Sequence, residues 1–401
     1  MNGSRFNGMA WRTDLSASTV VAGFVTVLVG FTSSAVIVFQ AARALGASAP
    51  EIASWMWALG LGMGVTCIVL SLCYRVPVVT AWSTPGAAML ITSAAGVAMP
   101  EAIGAFLASA ALITVVGFTG WFERAINRIP LSLASGMLAG VLLRFGLDIF
   151  VAMKSQFALA FAMFVVYLFA RRLAARYAVV AALAVGIVIA ASLGLLHVEG
   201  LRLELAQPVF TAPRFSVSAI IGIALPLFVV TMASQNVPGV AVLRAAGYAI
   251  PISPVIGWTG IATLLLAPFG AYALNLAAIT AAICTGREAH EDPRKRYMAA
   301  VFAGVGYLAV GLFGATVGAV FAAFPKELVL TIAGLALLGT IGNGLAAALA
   351  DDREREPALV TFLVTASGVT LLGIGSAFWG LVAGVLALAV LHAWRRPSKV
   401  R

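Results

Sequence analysis

The chain has 401 residues, of which 62% are hydrophobic and only 10% charged, and its mean hydropathy is +1.05. A soluble domain carries about 25% charged residues, so this chain has too little polar surface to cover itself in water, and lipid is its expected solvent. The formal net charge of +10 is not a nucleic-acid footprint, because the basic residues sit in short clusters between apolar runs and no aromatic–basic platform exists.

Arg5 and Arg12 precede an apolar stretch from Ser18 to Gln40. That stretch is too long for the apolar region of a signal peptide and reads as an uncleaved first span. A crossing helix needs roughly 20 apolar residues, fewer if it is broken. On that basis about fourteen spans are expected, at 18–41, 52–73, 78–98, 101–121, 131–151, 156–170, 176–197, 216–245, 252–267, 269–285, 297–323, 328–349, 358–374 and 376–394. The segments 156–170 and 358–374 are short, which leaves twelve or thirteen spans open. With the N-terminus inside, only Arg43, Lys154, Arg202, Arg214 and Lys326 of the 25 Lys and Arg residues fall on the outer side, and Arg144 falls within a span. Such a bias supports an even number of spans with both termini cytoplasmic.

The two halves resemble each other. Val29, Ser33, Arg43, Gly46, Pro50 and Trp57 recur at one constant offset as Val230, Ser234, Arg244, Gly247, Pro251 and Trp258. Residues 1–197 form a first repeat of seven spans, 198–215 a periplasmic linker and 216–401 a second repeat. Seven is odd, so the second copy is inverted, the plan of many secondary transporters. Chance matching between apolar sequences is the competing explanation.

The third and tenth spans are expected to be broken. In the third, Pro77 precedes a β-branched stretch to Trp82, and Ser83-Thr84-Pro85 then signals a helix start. A hydroxyl caps free N–H groups there and Pro suits the first turn. The tenth echoes it, with Pro268 matched to Pro77 and Asn275 to Thr84, so Asn275 is expected to cap the second helix start. Extended backbone at membrane depth is tolerated only where protein or a cavity surrounds it. Two half-helices from inverted repeats would aim their N-termini at one another and attract an anionic group. Two proline kinks that merely shape packing are the alternative. In the eighth span Gln235 and Asn236 are uncharged amides that orient a ligand or join helices. Trp82, Phe269 and Tyr272 flank the breaks, where they contact an aromatic ring or simply pack.

Cys67, Cys73 and Cys284 read as small hydrophobes, and His197, His290 and His392 lie near helix ends. No metal cluster, cofactor motif or catalytic constellation is visible, so neither a cofactor nor an enzyme is expected. Asp148 is the one acid within a span. It stands one helical turn from Arg144, the spacing of a salt bridge.

The segments Pro77–Gly86, Ser234-Gln235-Asn236-Val237-Pro238-Gly239 and Asn275–Gly286 resemble the bacterial benzoate:proton symporter family over nearly the whole chain. The resemblance implies an all-α polytopic protein of the bacterial inner membrane, related in fold to nucleobase–cation symporters and sulfate permeases. It implies a core domain of spans 1–4 and 8–11, a gate domain of spans 5–7 and 12–14, and a homodimer by analogy. The expected function is proton-coupled uptake of benzoate, or a related small aromatic carboxylate, by alternating access. Another organic anion, a nucleobase or a passive anion channel are the alternatives. Trp82, Ser83, Thr84, Gln235, Asn236, Tyr272 and Asn275 are the expected substrate contacts. Nucleobase relatives carry acids in spans eight and ten, whereas the amides here remove repulsion of an anion. The proton either rides on the substrate carboxylate or is relayed by Asp148 or by the cluster holding Glu288 and His290.

Overall fold

The computed structural model describes residues 14–93, 97–126, 129–174, 177–196, 205–322, 324–369, 371 and 376–393. Helices dominate because an apolar surrounding offers the backbone no other partners for its N–H and C=O groups. The first half contains α1 (Ala17–Ala44), α2 (Ala49–Tyr74), α3 (Thr84–Ser93), α4 (Met99–Thr119), α5 (Trp121–Ile126), α6 (Leu131–Ser155), α7 (Phe157–Ala174) and α8 (Ala178–Ser192). The second contains α9 (Val217–Ala245), α10 (Ile252–Leu266), α11 (Ile279–Thr285), α12 (Tyr297–Ala322), α13 (Lys326–Ala348), α14 (Arg355–Ala366) and α15 (Ser376–Ala393). Two short strands, β1 (Thr80–Ala81) and β2 (Asn275–Leu276), precede α3 and α11. Among the described residues, 8 helices are long and apolar enough to cross a membrane, and Ala17–Phe31, Ala178–Ser192 and Ser376–Leu391 are shorter apolar stretches.

α9 widens into π turns at Ile220–Ala224 and Met232–Asn236. Pro226 and Pro238 follow these turns. Neither proline can donate to the carbonyl four residues back, and a π turn absorbs the misfit.

Close helix crossings rest on glycine. α2 packs along α12, and α4 along α10. A Cβ on Gly60 would lie 2.5 Å from Gly311 Cα and 2.6 Å from its nitrogen. A Cβ on Gly117 would meet the backbone of Gly257 in the same way. Elsewhere α6 packs along α13 and α14, α7 along α8, and α14 along α15.

One end of the bundle is basic. There Asp14 pairs with Arg75 at 3.4 Å and Lys295 at 3.5 Å, and accepts from the Tyr297 hydroxyl at 2.8 Å. At the other end the described part of the linker crosses one group of helices. Thr211 N–H donates to Pro268 O, Arg214 N–H to Pro100 O, Ala206 N–H to Leu312 O and Val209 N–H to Ser54 Oγ. His197 and residues 198–204 of that linker lie outside the described residues, as does the side chain of Ser33.

Gly60→Val is expected to force α2 and α12 apart and cost about 1–3 kcal/mol, the usual penalty of overpacking. A lowered unfolding midpoint in detergent would register it. Gly222→Ala is the control, because a Cβ there meets nothing within 4 Å.

Candidate functional site

β1 and β2 pair antiparallel, Thr80 opposite Leu276 and Ala81 opposite Asn275. Ala277 N–H donates to Val79 O at 2.9 Å beside them. Thr80, Asn275 and Leu276 are buried, so backbone groups left over by this short ladder need side-chain partners. α2 supplies them for the first segment. Thr80 N–H donates to Cys67 Sγ at 3.2 Å, Thr66 and Thr80 hydroxyls meet at 2.6 Å, and Ser71 Oγ exchanges bonds with Val78 N–H and C=O at 3.1 Å. For the second segment, Leu274 N–H donates to Thr263 Oγ at 3.1 Å and Leu276 N–H to Asn236 Oδ1 at 2.9 Å. Gly239 lets α9 press on β2, since a Cβ there would sit 2.6 Å from Leu276 Cβ.

Ser83 caps α3. Its Oγ accepts from Gly86 N–H at 3.1 Å, and its C=O accepts from Ala87 N–H at 2.8 Å. Pro85 has no N–H, so the half-buried Thr84, the first helical residue, is the one left to offer donors at that terminus. Thr231 of α9 donates to Ser83 Oγ at 3.2 Å and ties the two halves of the chain together. The expectation that Asn275 caps α11 is corrected. Asn275 lies in β2, and its amide nitrogen donates to Ala273 O at 2.8 Å. α11 starts after Ala278, which provides no side-chain cap. The alignment on proline fails because Pro268 belongs to a 3-10 turn, Ala267–Phe269, followed by Gly270 at φ 100°. That turn changes the spacing after the proline, so β1 begins three residues after Pro77 and β2 seven residues after Pro268.

The structure thus gathers Trp82, Ser83, Thr84, Asn236 and Asn275 around the strand pair, with Gln235 beside Asn236 on α9. Their freedom differs. Trp82 is buried, its indole N–H donates to Ser34 Oγ at 2.9 Å, and its ring meets Phe31 edge-on. Asn236 holds β2 and donates to Met232 Sδ. Asn275 Oδ1 is buried and accepts no hydrogen bond among the described residues. Gln235 is half-buried, and no hydrogen bond of its amide is found among them. Tyr272 is buried, its ring 5.7 Å from Trp55 and 5.8 Å from Phe106 in an aromatic cluster between α2 and α4, and its hydroxyl finds no hydrogen-bond partner among the described residues.

The proton-relay candidates lie elsewhere. Glu288 follows α11, is 6% exposed, and forms an ion pair with Arg171 of α7. Arg171 also donates to the Tyr167 hydroxyl at 2.7 Å. His290 Nδ1 accepts from Asp292 N–H at 3.0 Å and so closes a turn. Arg294 hydrogen bonds hold the Asp292 carboxyl below its usual range. Asp148 is half-buried on α6, and the expected pair with Arg144 does not form. Arg144 is exposed, and one-turn spacing alone does not hold two side chains together against their rotamer entropy.

Sequence reading missed the clamps, namely Thr66, Cys67, Ser71, Thr231 and Thr263, and the partner Arg171. Hydroxyls facing an expected extended segment were their one visible signal. Cys67 is more than a small hydrophobe, since it accepts a strand N–H.

Comparison with known proteins agrees with this architecture. The family profile described as benzoate membrane transport protein matches residues 13–390. The inner membrane protein YdcO of Escherichia coli (strain K12) is 51% identical over 374 residues, covering 93% of this chain and 96% of that protein. The benzoate membrane transport protein of Acinetobacter baylyi (strain ATCC 33305 / BD413 / ADP1) is 40% identical over 380 residues, 95% of this chain and 96% of the relative. Among solved structures, SLC26A9 superposes with a TM-score of 0.51 at 12% identity, over 96% of this chain and 67% of that one, a likeness of fold alone. With a family match and two relatives spanning nearly its full length, and with long apolar helices to match, the chain belongs to the benzoate membrane transport protein family and is a multi-pass membrane transporter.

Proposed function

We propose that the chain carries benzoate, or a closely related small aromatic carboxylate, inward together with a proton by alternating access. The observation that carries this reading is the buried antiparallel pair of β1 and β2, each followed at once by a helix. Two extended segments that break helices in the interior are what a transporter of inverted repeats places at its substrate site. The family supplies the substrate class. The uncharged lining of the site supports it, since Ser83, Thr84, Gln235, Asn236 and Asn275 place no carboxylate against an incoming anion. Among the described residues, the Gln235 side chain, the Asn275 oxygen and the Tyr272 hydroxyl are left without a hydrogen bond, and Thr84 adds the open end of α3.

The repeats are read as inverted, with fourteen crossings. Spans 2 with 11 and 4 with 9 pack as α2 with α12 and α4 with α10, and an exchange of two repeats interchanges those two contacts. The core then comprises spans 1–4 and 8–11, the gate spans 5–7 and 12–14. The basic end faces the cytoplasm with both termini. Because the strand pair joins both repeats, the site moves as one piece while the gate slides past it.

Glu288 is the relay we favour. It is a buried carboxylate whose ion pair links the segment after α11 to gate helix α7. Protonation removes its charge, loosens the pair with Arg171 and lets the halves part. His290 is fixed in its turn, and Asp148 on α6 forms no ion pair among the described residues.

Uptake of radiolabelled benzoate into proteoliposomes tests the whole reading. An inward proton gradient should drive uphill accumulation that a protonophore abolishes, and merely equilibrating uptake would point to a channel. Asn275→Asp should weaken benzoate binding at least ~10-fold, equivalent to about 1.4 kcal/mol, through like-charge repulsion. Unchanged affinity would remove Asn275 from the site. Glu288→Gln should leave benzoate exchange across the membrane intact while accumulation stops responding to the proton gradient. A response equal to that of the parent protein would move the relay to the substrate or to Asp148.

A further inference from the structure

At the basic end a crevice of ~100 Å³ opens between the two groups of helices. Leu138 of α6 and Asn343 and Gly344 of α13 form one side, and Thr285, Arg287 and Arg296 lie on the other. Arg296 is 6% exposed, and its guanidinium donates to three neutral carbonyls, His290 O at 2.6 Å, Thr285 O at 2.8 Å and Glu291 O at 3.3 Å. Among the described residues it forms no ion pair, and neither does the exposed Arg287. Of the nearby carboxylates, Glu288 pairs with Arg171, Asp292 with Arg294 and Asp14 with Arg75 and Lys295, while Glu291 is exposed and forms no ion pair among the described residues.

A buried cation with no anion is costly. Here two guanidiniums share a crevice that no carboxylate lines. The end of a helix would ordinarily repel an anion, but Arg296 occupies the Thr285 carbonyl and cancels part of that field. Leu138 and Gly344 add apolar surface opposite the charge, and the Asn343 amide adds a donor. The crevice therefore suits a small organic anion with one charged end and one apolar body. It also lies in line with the strand pair. α11 joins the two places, and its seven residues, Ile279–Thr285, span about 10 Å at 1.5 Å per residue.

We propose that this crevice is a second binding station for the transported aromatic carboxylate, occupied on the cytoplasmic side after the anion leaves the strand pair. Arg287 contacts the carboxylate, and Arg296 supplies a fixed positive field. The proposal rests on the transport function inferred above.

Equilibrium binding of radiolabelled benzoate to the full-length protein in detergent tests it. The parent protein should bind two benzoates per chain. Arg287→Gln should bind one and Arg287→Lys close to two, while Asn275→Asp should lose the other class and keep the Arg287-dependent one. Two benzoates bound to Arg287→Gln would overturn the second station. Displacement of the Arg287-dependent class by millimolar chloride or phosphate would also overturn it, by assigning the crevice to an inorganic anion. Absence of any benzoate binding to the parent protein would instead bring down the substrate reading itself, and the station with it.

Discussion

Extended backbone buried away from water must find a partner for every N–H and C=O, and this one requirement organises the molecule. Residues 76–83 and 270–278 are not helical enough to satisfy themselves. They lie instead against each other, Thr80 to Leu276 and Ala81 to Asn275. A ladder of two residues cannot satisfy everything, so Thr66, Cys67 and Ser71 serve one strand while Thr263 and Asn236 serve the other. Each donor or acceptor left unmatched at such a place would cost about 1–3 kcal/mol, which explains why hydroxyl, thiol and amide groups collect in otherwise apolar helices.

Packing follows from the same requirement. Bringing the two strands into register needs α2, α10 and α9 close to them, and close helices need small residues. Gly239 lets α9 touch β2, and Gly60 with Gly311 lets α2 approach α12. The ion pairs found among the described residues lie away from this centre, and Arg287 and Arg296 beside the crevice take no part in one. The interior is therefore polar without being charged, a setting that admits an anion without an opposing carboxylate.

Much of the architecture was legible in hydropathy and proline placement. Long apolar runs mark the helices, and Ser83-Thr84-Pro85 correctly announces the start of α3 with Ser83 as its cap. The second half misled, because a 3-10 turn at Pro268 and the left-handed Gly270 shift the frame, so Asn275 reads as a cap when it is a strand residue. Side-chain roles were less legible still. Nothing local separates an Asn that braces a strand, Asn236, from one with an unfilled oxygen, Asn275. Those distinctions depend on contacts between residues far apart in the chain, such as Arg171 with Glu288 and Thr231 with Ser83.

The pairing of β1 with β2 also bears on how the protein is made. β1 leaves the ribosome long before its partner exists, since α3 to α10 lie between them in the chain. Until then the hydroxyls of Thr80 and Ser83 and the N–H groups of the extended segment face lipid or the insertion machinery, with only α2 to shelter them. The nascent first half is thus an incomplete object until the second half arrives to pair with it. A lesion anywhere in β2 or in Asn236 would be felt first as failed assembly and early degradation, before any defect in carrying cargo came into view.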